Sequence, residues 1–233
     1  MARPPSKRYQ NASKLVDATK TYSLTEAVKL LKELPKGKSD ESVDLAFRLG
    51  VDPKQSDQMV RGTVALPHGS GKNVRVLVFA KGAAAEAAKA AGADIVGFED
   101  LIKQVAEGFQ AFDVAVATPD AMGEVRKLGK VLGPRGLMPN PRTGTVTDDT
   151  AKAVKECKAG RVEFKLDKSG NVHVLVGKAS FSPEFLEANG KAVIEAIVKA
   201  RPSTAKGRFV ENATLASTYS PGIKVDVTPF VRN

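Results

Sequence analysis

The apolar residues of this chain follow two rhythms, and their order along the sequence restricts the fold more than any single motif does. Val74–Phe79 and Val114–Ala117 are apolar runs without alternation, as expected of strands covered on both faces. Ala83–Ala91 and Asp120–Leu128, between and after them, are helical in character. Strands alternating with helices in this way predict a small parallel α/β sheet between roughly Leu66 and Ala159. On either side of that stretch the rhythm has period two. Ser42–Leu49 sets Val43, Leu45, Phe47 and Leu49 against Asp44, Ala46 and Arg48, the pattern of a half-buried strand. Arg161–Leu166 and Val172–Val176 alternate around Asp167–Gly170 and read as a hairpin, and Phe209–Leu215 and Ile223–Val227 alternate around Tyr219–Gly222.

Two helices accompany the alternating strands. One runs from Tyr22 to Pro35, with Ser23 and Glu26 spaced as a capping box and Leu24, Val28, Leu31 and Leu34 on one face. The other runs from Pro183 to Ala200, capped by Ser182, with proline at its first position. The N-terminal stretch has too few elements to bury a core alone, and the C-terminal strands need a cover. The expectation is therefore a discontinuous α+β domain built from residues 1–66 and 159–233, with residues 67–158 inserted as an α/β domain. The two crossings, Leu66–Lys72 and Lys158–Gly160, both contain glycine and would make a hinge.

The chain carries a formal charge of +10 from 36 Lys/Arg against 26 Asp/Glu. That balance fits a polyanionic partner, nucleic acid or a membrane surface. The charge is shared unevenly: 23 basic and 15 acidic residues fall in the two-ended part, but 13 and 11 in the insert. The two-ended domain is thus the better candidate for the main contact. No segment reads as a membrane span or a secretory leader. A single cysteine, Cys157, excludes an intramolecular disulfide and fits a reducing cytoplasm.

Leu132–Val146 holds three prolines, three glycines and two arginines, with no carboxylate. The prolines exclude helix and central strand. The segment reads as a rigid basic loop with Leu137 and Met138 as an apolar tip between Arg135 and Arg142. Two readings stand: a docking surface for an anionic partner, or a loop that wraps its own domain.

Catalytic chemistry does not assemble. Gly69–Lys72 suggests a phosphate loop, but Leu66 stands where the first glycine should be and Asn73 where Ser or Thr should be. The turn after Val74–Phe79 lacks the three glycines that admit a pyrophosphate. His68, His173 and Cys157 have no metal-ligand spacing. Lys155 and Lys158 flank Cys157 and could lower its pKa, although a partly buried thiol is the simpler reading. The sequence therefore predicts no enzyme, no catalytic residue, no cofactor and no metal. His173 reads either as a solvated strand-face residue or as one facing RNA, and Lys7-Arg8-Tyr9 either as a loose basic start or as a clamp on nucleic acid.

Several motifs occur together and in order: Val51-Asp-Pro53, Ser56–Thr63, Leu66-Pro-His-Gly69, Leu132–Pro141, Lys158–Arg161 and Gly177–Ser180. With them the chain resembles the bacterial ribosomal protein L-one family from about Lys7 to the C-terminus. The resemblance implies a discontinuous split β-α-β RNA-binding domain with an inserted Rossmann-like three-layer α/β domain. It also implies binding of large-subunit rRNA at the mobile stalk, a role in release of deacylated exit-site tRNA, and repression of translation through the chain's own operon mRNA. A monomer on the cytoplasmic ribosome follows, with no membrane partner; a free RNA-binding translational repressor is the alternative.

Residue by residue, the implied RNA contacts are Lys38, Glu41 and Ser42 before and at the first strand, Asp167 and Lys168 at the hairpin turn, and Thr218. Lys7, Arg8, Arg161, Lys165 and His173 extend the strip, and Arg135, Met138 and Arg142 form a secondary surface for tRNA or rRNA. Two departures from the family pattern stand out: Ser39 where the family has Phe, and Tyr219-Ser220 where it has Met-Gly. Tyr219 is expected to supply the flat contact that Ser39 gives up.

Overall fold

The computed structural model describes residues 5–231, without the side chain of Arg142. It divides into two compact units, residues 1–71 with 162–233 and residues 72–161. The first segment contributes α1 (Lys7–Leu15), α2 (Leu24–Glu33), β1 (Ser42–Leu49) and β2 (Arg61–Ala65). The inserted stretch contributes β3 (Val76–Phe79), α3 (Gly82–Ala90), β4 (Ile95–Gly97), α4 (Glu99–Ala106), β5 (Val114–Ala117), α5 (Met122–Val125), α6 (Gly129–Leu132) and α7 (Thr150–Lys158). The chain then returns through β6 (Arg161–Lys165), β7 (Asn171–Lys178), α8 (Pro183–Lys199), β8 (Val210–Ser217), β9 (Ile223–Val225) and α9 (Thr228–Val231).

In the two-ended unit, β1 lies inside a four-stranded antiparallel sheet of order β7-β1-β8-β9. Leu45 pairs with Val174 and Leu215, and Phe47 with Val172 and Ala213. These residues are all buried, and they share a core with Val28 and Leu31 of α2 and Val193, Ile194 and Ile197 of α8. Burying a side chain the size of Phe47 contributes about 1.5–3 kcal/mol, so the period-two pattern alone fixes which face meets the helices. The expected capping box forms at α2: the Ser23 hydroxyl accepts from Glu26 N–H at 3.3 Å, and the Glu26 carboxylate accepts from Ser23 N–H at 3.1 Å. Helices α2 and α8 approach closely at Gly190, where a Cβ would stand 3.3 Å from the Leu24 side chain.

The expected hairpin takes a different form. β6 pairs with β2 in a two-stranded sheet of its own, while β7 pairs with β1. Asp167–Gly170 is still a tight turn, closed by the Asp167 N–H bond to Asn171 O at 2.8 Å. It passes the chain from one sheet to the other, because the partner of β6 comes from the first segment.

The inserted unit has three layers around a parallel sheet of order β4-β3-β5. Val76, Val78 and Val116 pack with Ala88, Ala153 and Val154 of α3 and α7. Leu77, Phe79, Ala115 and Ala117 pack on the opposite face with Leu101, Val105, Val125 and Leu132. Both faces of the strands are covered, which is why their sequences do not alternate. The helix expected over Asp120–Leu128 is instead α5 and a 3-10 turn at Arg126–Leu128, with the short α6 following. Gly123 falls in that stretch and Gly129 directly after it, and both weaken a continuous helix.

Candidate nucleic-acid interface

The residues just before β1 are organised by a buried carboxylate. Glu41 is 5% exposed. It accepts hydrogen bonds from Gly37 N–H at 2.7 Å, the Ser217 hydroxyl at 2.5 Å and Tyr219 N–H at 3.3 Å, and Arg8 Nη1 lies 3.6 Å away. Burial by itself raises the pKa of this carboxyl. The bonds from Ser217, Gly37 and Tyr219 and the Arg8 charge outweigh it and hold the group below its ordinary range. Gly37 is required for this close approach, since a Cβ there would stand 2.8 Å from both Arg8 Nη1 and Glu41 Oε1.

Glu41 was expected to touch RNA. Its carboxylate is instead consumed within the protein and positions its neighbours. It draws together three segments: the loop before β1, the turn after β8 and the first turn of α1. The same ring of contacts continues outward. Thr218 N–H donates to Ser42 O at 3.1 Å and Ser42 N–H donates to the Thr218 hydroxyl at 3.2 Å. The Ser220 hydroxyl accepts from Ser217 N–H at 2.8 Å, and Lys178 Nζ donates to the Ser42 hydroxyl at 3.1 Å. Asp40 receives both Ser180 N–H and the Ser180 hydroxyl, at 3.0 and 2.8 Å. Around this fixed centre Lys7, Lys38, Ser39, Thr218 and Tyr219 are exposed. The guanidinium of Arg8 lies 5.0 Å over the Tyr219 ring.

From this cluster the face of the sheet turned away from α2 and α8 runs along β1 for about 23 Å. Asp44, Ala46 and Arg48 lie on it, with His173 and Thr214 paired on either side of Ala46, and Asn171 and Asn212 on either side of Arg48. Phe47 points into the core, so among these strand residues His173 is the ring that this face offers to a base. At its far end Arg48 donates to Ser169 O and pairs with Glu211 at 3.5 Å, holding the Asp167–Gly170 turn. Asp167 accepts from Ser169 and Asn171 N–H at 2.8 and 2.7 Å. These turn bonds, with that from Asn171 first, keep the carboxyl of this exposed residue below the ordinary range. Asp167 therefore shapes the turn, while Lys168 at its tip is exposed.

The remaining expected contacts are distributed differently. Lys165 is exposed at the end of β6 but belongs to the two-stranded sheet, so it does not stand across a ladder from His173. Arg161 belongs to the inserted unit, donates to Thr143 O, and pairs with Glu156 at 2.8 Å. Its guanidinium is 15% exposed and fastens the proline-rich loop. That loop is stitched to its own unit: Ala117 N–H donates to Thr145 O at 2.9 Å, Thr147 N–H returns the bond to Ala117 O at 3.1 Å, and Asn140 N–H meets the Thr145 hydroxyl at 2.8 Å. Leu137 and Met138 are half-buried against the core under α4–α6, which corrects the expected apolar tip, because leaving them in water costs more than turning them inward. Arg135 is exposed; the Arg142 side chain lies outside the described residues. Burial pushes the Cys157 thiol up, against the lowering suggested by its lysine neighbours.

Among the described residues no cluster of three or more metal-ligating side chains forms, and no helix is long and apolar enough to cross a membrane. What the two-ended unit offers is a rigid polar strip rimmed by cations, with hydroxyls and amides fixed between them. Such a surface can meet phosphates at its rim and sugar hydroxyls at its centre. Sequence reasoning missed Gly37, Ser217 and Arg48; Ser217 lies 176 positions from the carboxylate it serves, and no local signal links them.

The model of the ribosomal protein L1p/L10e family matches residues 31–221 of this chain. The large ribosomal subunit protein uL1 of Clavibacter sepedonicus is 59% identical over 222 residues, covering 95% of this chain and 97% of that protein. The large ribosomal subunit protein uL1 of Kosmotoga olearia is 56% identical over 221 residues, covering 95% and 96%. Motifs, layered fold and relatives agree: the chain is a member of the ribosomal protein L1p/L10e family.

Proposed function

We propose that this protein is a structural constituent of the large ribosomal subunit in the cytoplasm, and that it binds large-subunit rRNA through the strip on its two-ended unit. The observation that carries this reading is the Glu41 centre. A buried carboxylate with three donors and an arginine fixes the flanking exposed Lys38, Ser39, Thr218 and Tyr219 before any ligand arrives. Preorganisation of this kind lowers the ordering cost of binding. Cations at Lys7, Lys168 and Lys38 release counterions from phosphates, and the fixed hydroxyls and amides read RNA shape and 2′-hydroxyls.

In the same reading the two units serve as the two domains of a mobile stalk that assists release of deacylated exit-site tRNA. The exposed Arg126, Lys130 and Arg135 of the inserted unit supply its basic surface for tRNA. The rRNA strip also takes a similar fold in the protein's own operon mRNA, and so represses its translation. Cosedimentation of the chain with large subunits at moderate salt tests the first claim. Retention that is lost with Lys168→Ala/Thr218→Ala supports it. Binding to the isolated RNA without cosedimentation points to a free translational repressor.

A further inference from the structure

The beginning of α1 and the turn after β8 enclose an open groove of about 380 Å³, lined by Pro5, Ser6, Arg8 and Tyr9 on one side and Thr218, Tyr219 and Ser220 on the other. Two aromatic rings stand in it with large free surfaces: Tyr9 is 39% exposed and Tyr219 54%. Apolar surface of that kind is normally withdrawn from water, as it is for Phe47, Phe79 and Phe164 elsewhere in the chain. Tyr219 is also held in place. Its backbone N–H is bonded to Glu41, and one face of its ring is backed by the Arg8 guanidinium, itself tethered to the same carboxylate. With that contact made, Tyr219 still has 54% of its surface exposed at the groove. Among the described residues no carboxylate lines the groove, and Glu41 behind it is buried and paired with Arg8, so the groove presents cation and ring to an approaching polyanion.

We propose that this groove takes a single unpaired nucleobase of the bound RNA, stacked on the Tyr219 ring, with Tyr9 as the second wall. The proposal rests on the rRNA-binding reading and makes it specific. The rims of the strip track the backbone, while this one pocket demands a base free of the helix. A base in a duplex cannot enter, because its faces are occupied by its neighbours. Every base has a π face, so the pocket selects for an unstacked position more than for base identity. Arg8 acts as a positioning residue: it fixes the ring through cation–π contact and leaves the other face to the base.

The test uses the full chain and a stem-loop fragment of the stalk region of large-subunit rRNA, with each unpaired nucleotide replaced in turn by an abasic one. Tyr219→Ala is expected to weaken binding about tenfold to a hundredfold, with the slope of affinity against salt unchanged because no phosphate contact is lost. Tyr219→Phe is expected to keep the affinity, which separates stacking from loss of the fold. One abasic position should weaken the unsubstituted protein by the same factor and leave Tyr219→Ala unaffected. If every abasic position combines additively with Tyr219→Ala, the stacked base is overturned while the rRNA reading stands. If the unsubstituted chain shows no preference for the fragment over unrelated RNA, both are overturned.

Discussion

Glu41→Gln isolates the carboxylate that organises the strip. The substitution keeps shape and volume but turns one accepting oxygen into a donor. In the native chain Oε1 takes Gly37 N–H and faces Arg8, while Oε2 takes the Ser217 hydroxyl and Tyr219 N–H. Placing the new amide nitrogen at Oε1 sets it against the Gly37 donor and the arginine. Placing it at Oε2 is better, because the Ser217 hydroxyl can rotate and accept, but Tyr219 N–H is then stranded. Bonds to a charged acceptor contribute about 1.5–3 kcal/mol and neutral ones about 0.5–1.5, so Gly37 and Ser217 each lose about 1 kcal/mol, and a stranded donor costs about 1 more. The cheaper desolvation of an amide offsets part of this, leaving a net destabilisation of about 2–3 kcal/mol. Urea unfolding followed by far-ultraviolet circular dichroism measures it as a midpoint about 1 M lower. The acid limb gives a second readout. A carboxyl held below its ordinary value of 4.5 in the folded state contributes stability that is fully present above that pH and is lost as pH falls through the folded value. The difference between native and Gln chains should therefore shrink below about pH 4.5. A destabilisation under about 0.5 kcal/mol, or one that stays constant into acid, would refute the carboxylate as the organising group.

Arg161→Met is expected to loosen the proline-rich loop: hydrogen exchange at Thr143–Thr145 should rise and stability fall by about 2–3 kcal/mol, while rRNA affinity stays within about twofold. A large loss of rRNA affinity with a protected loop would return Arg161 to the RNA contacts. Asn189 is fully buried and joins His68 N–H, Gly69 O and Val176 O, so Asn189→Leu should cost about 2–4 kcal/mol in urea unfolding by stranding those groups. A loss under about 0.5 kcal/mol would show that water replaces the amide. For Lys168→Ala, the slope of log affinity against log salt should fall by about 0.7–0.9, one phosphate contact; an unchanged slope would remove Lys168 from the backbone contacts.

Local chemistry was legible where a residue's neighbours in sequence are also its neighbours in space. The Ser23–Glu26 capping box, the alternation of Ser42–Leu49 and the unbroken Val114–Ala117 strand each appear in the structure within those bounds, because period and capping are decided within a few residues. Pairing was not so decided. β6 and β7 look like one hairpin because the turn between them is tight, but a strand pairs with whichever edge is available, and β2 offers one from about a hundred residues earlier. The chain changes unit at 71/72 and 161/162; the crossings were expected over Leu66–Lys72 and Lys158–Gly160. The same limit governs the site. Ser39, Lys38, Thr218 and Tyr219 could be named from motifs, but the fate of Glu41 depends on Ser217, Gly37 and Arg8 arriving from three places. Exposed Met138 was a reasonable expectation from composition; the structure turns it inward because the core under α4–α6 has room beside Leu132 and Leu137.

The central claim is that the two-ended unit, organised by Glu41, carries the rRNA contact. The most direct measurement compares the affinity of three full-length chains for the stalk-region rRNA fragment at one fixed salt concentration. One is unsubstituted, one carries Lys38→Ala/Lys168→Ala/Thr218→Ala, and one carries Arg126→Ala/Lys130→Ala/Arg135→Ala in the inserted unit. The account predicts a loss of about a hundredfold or more for the strip chain and less than about threefold for the insert chain. Equal losses, or a larger loss for the insert chain, would contradict it.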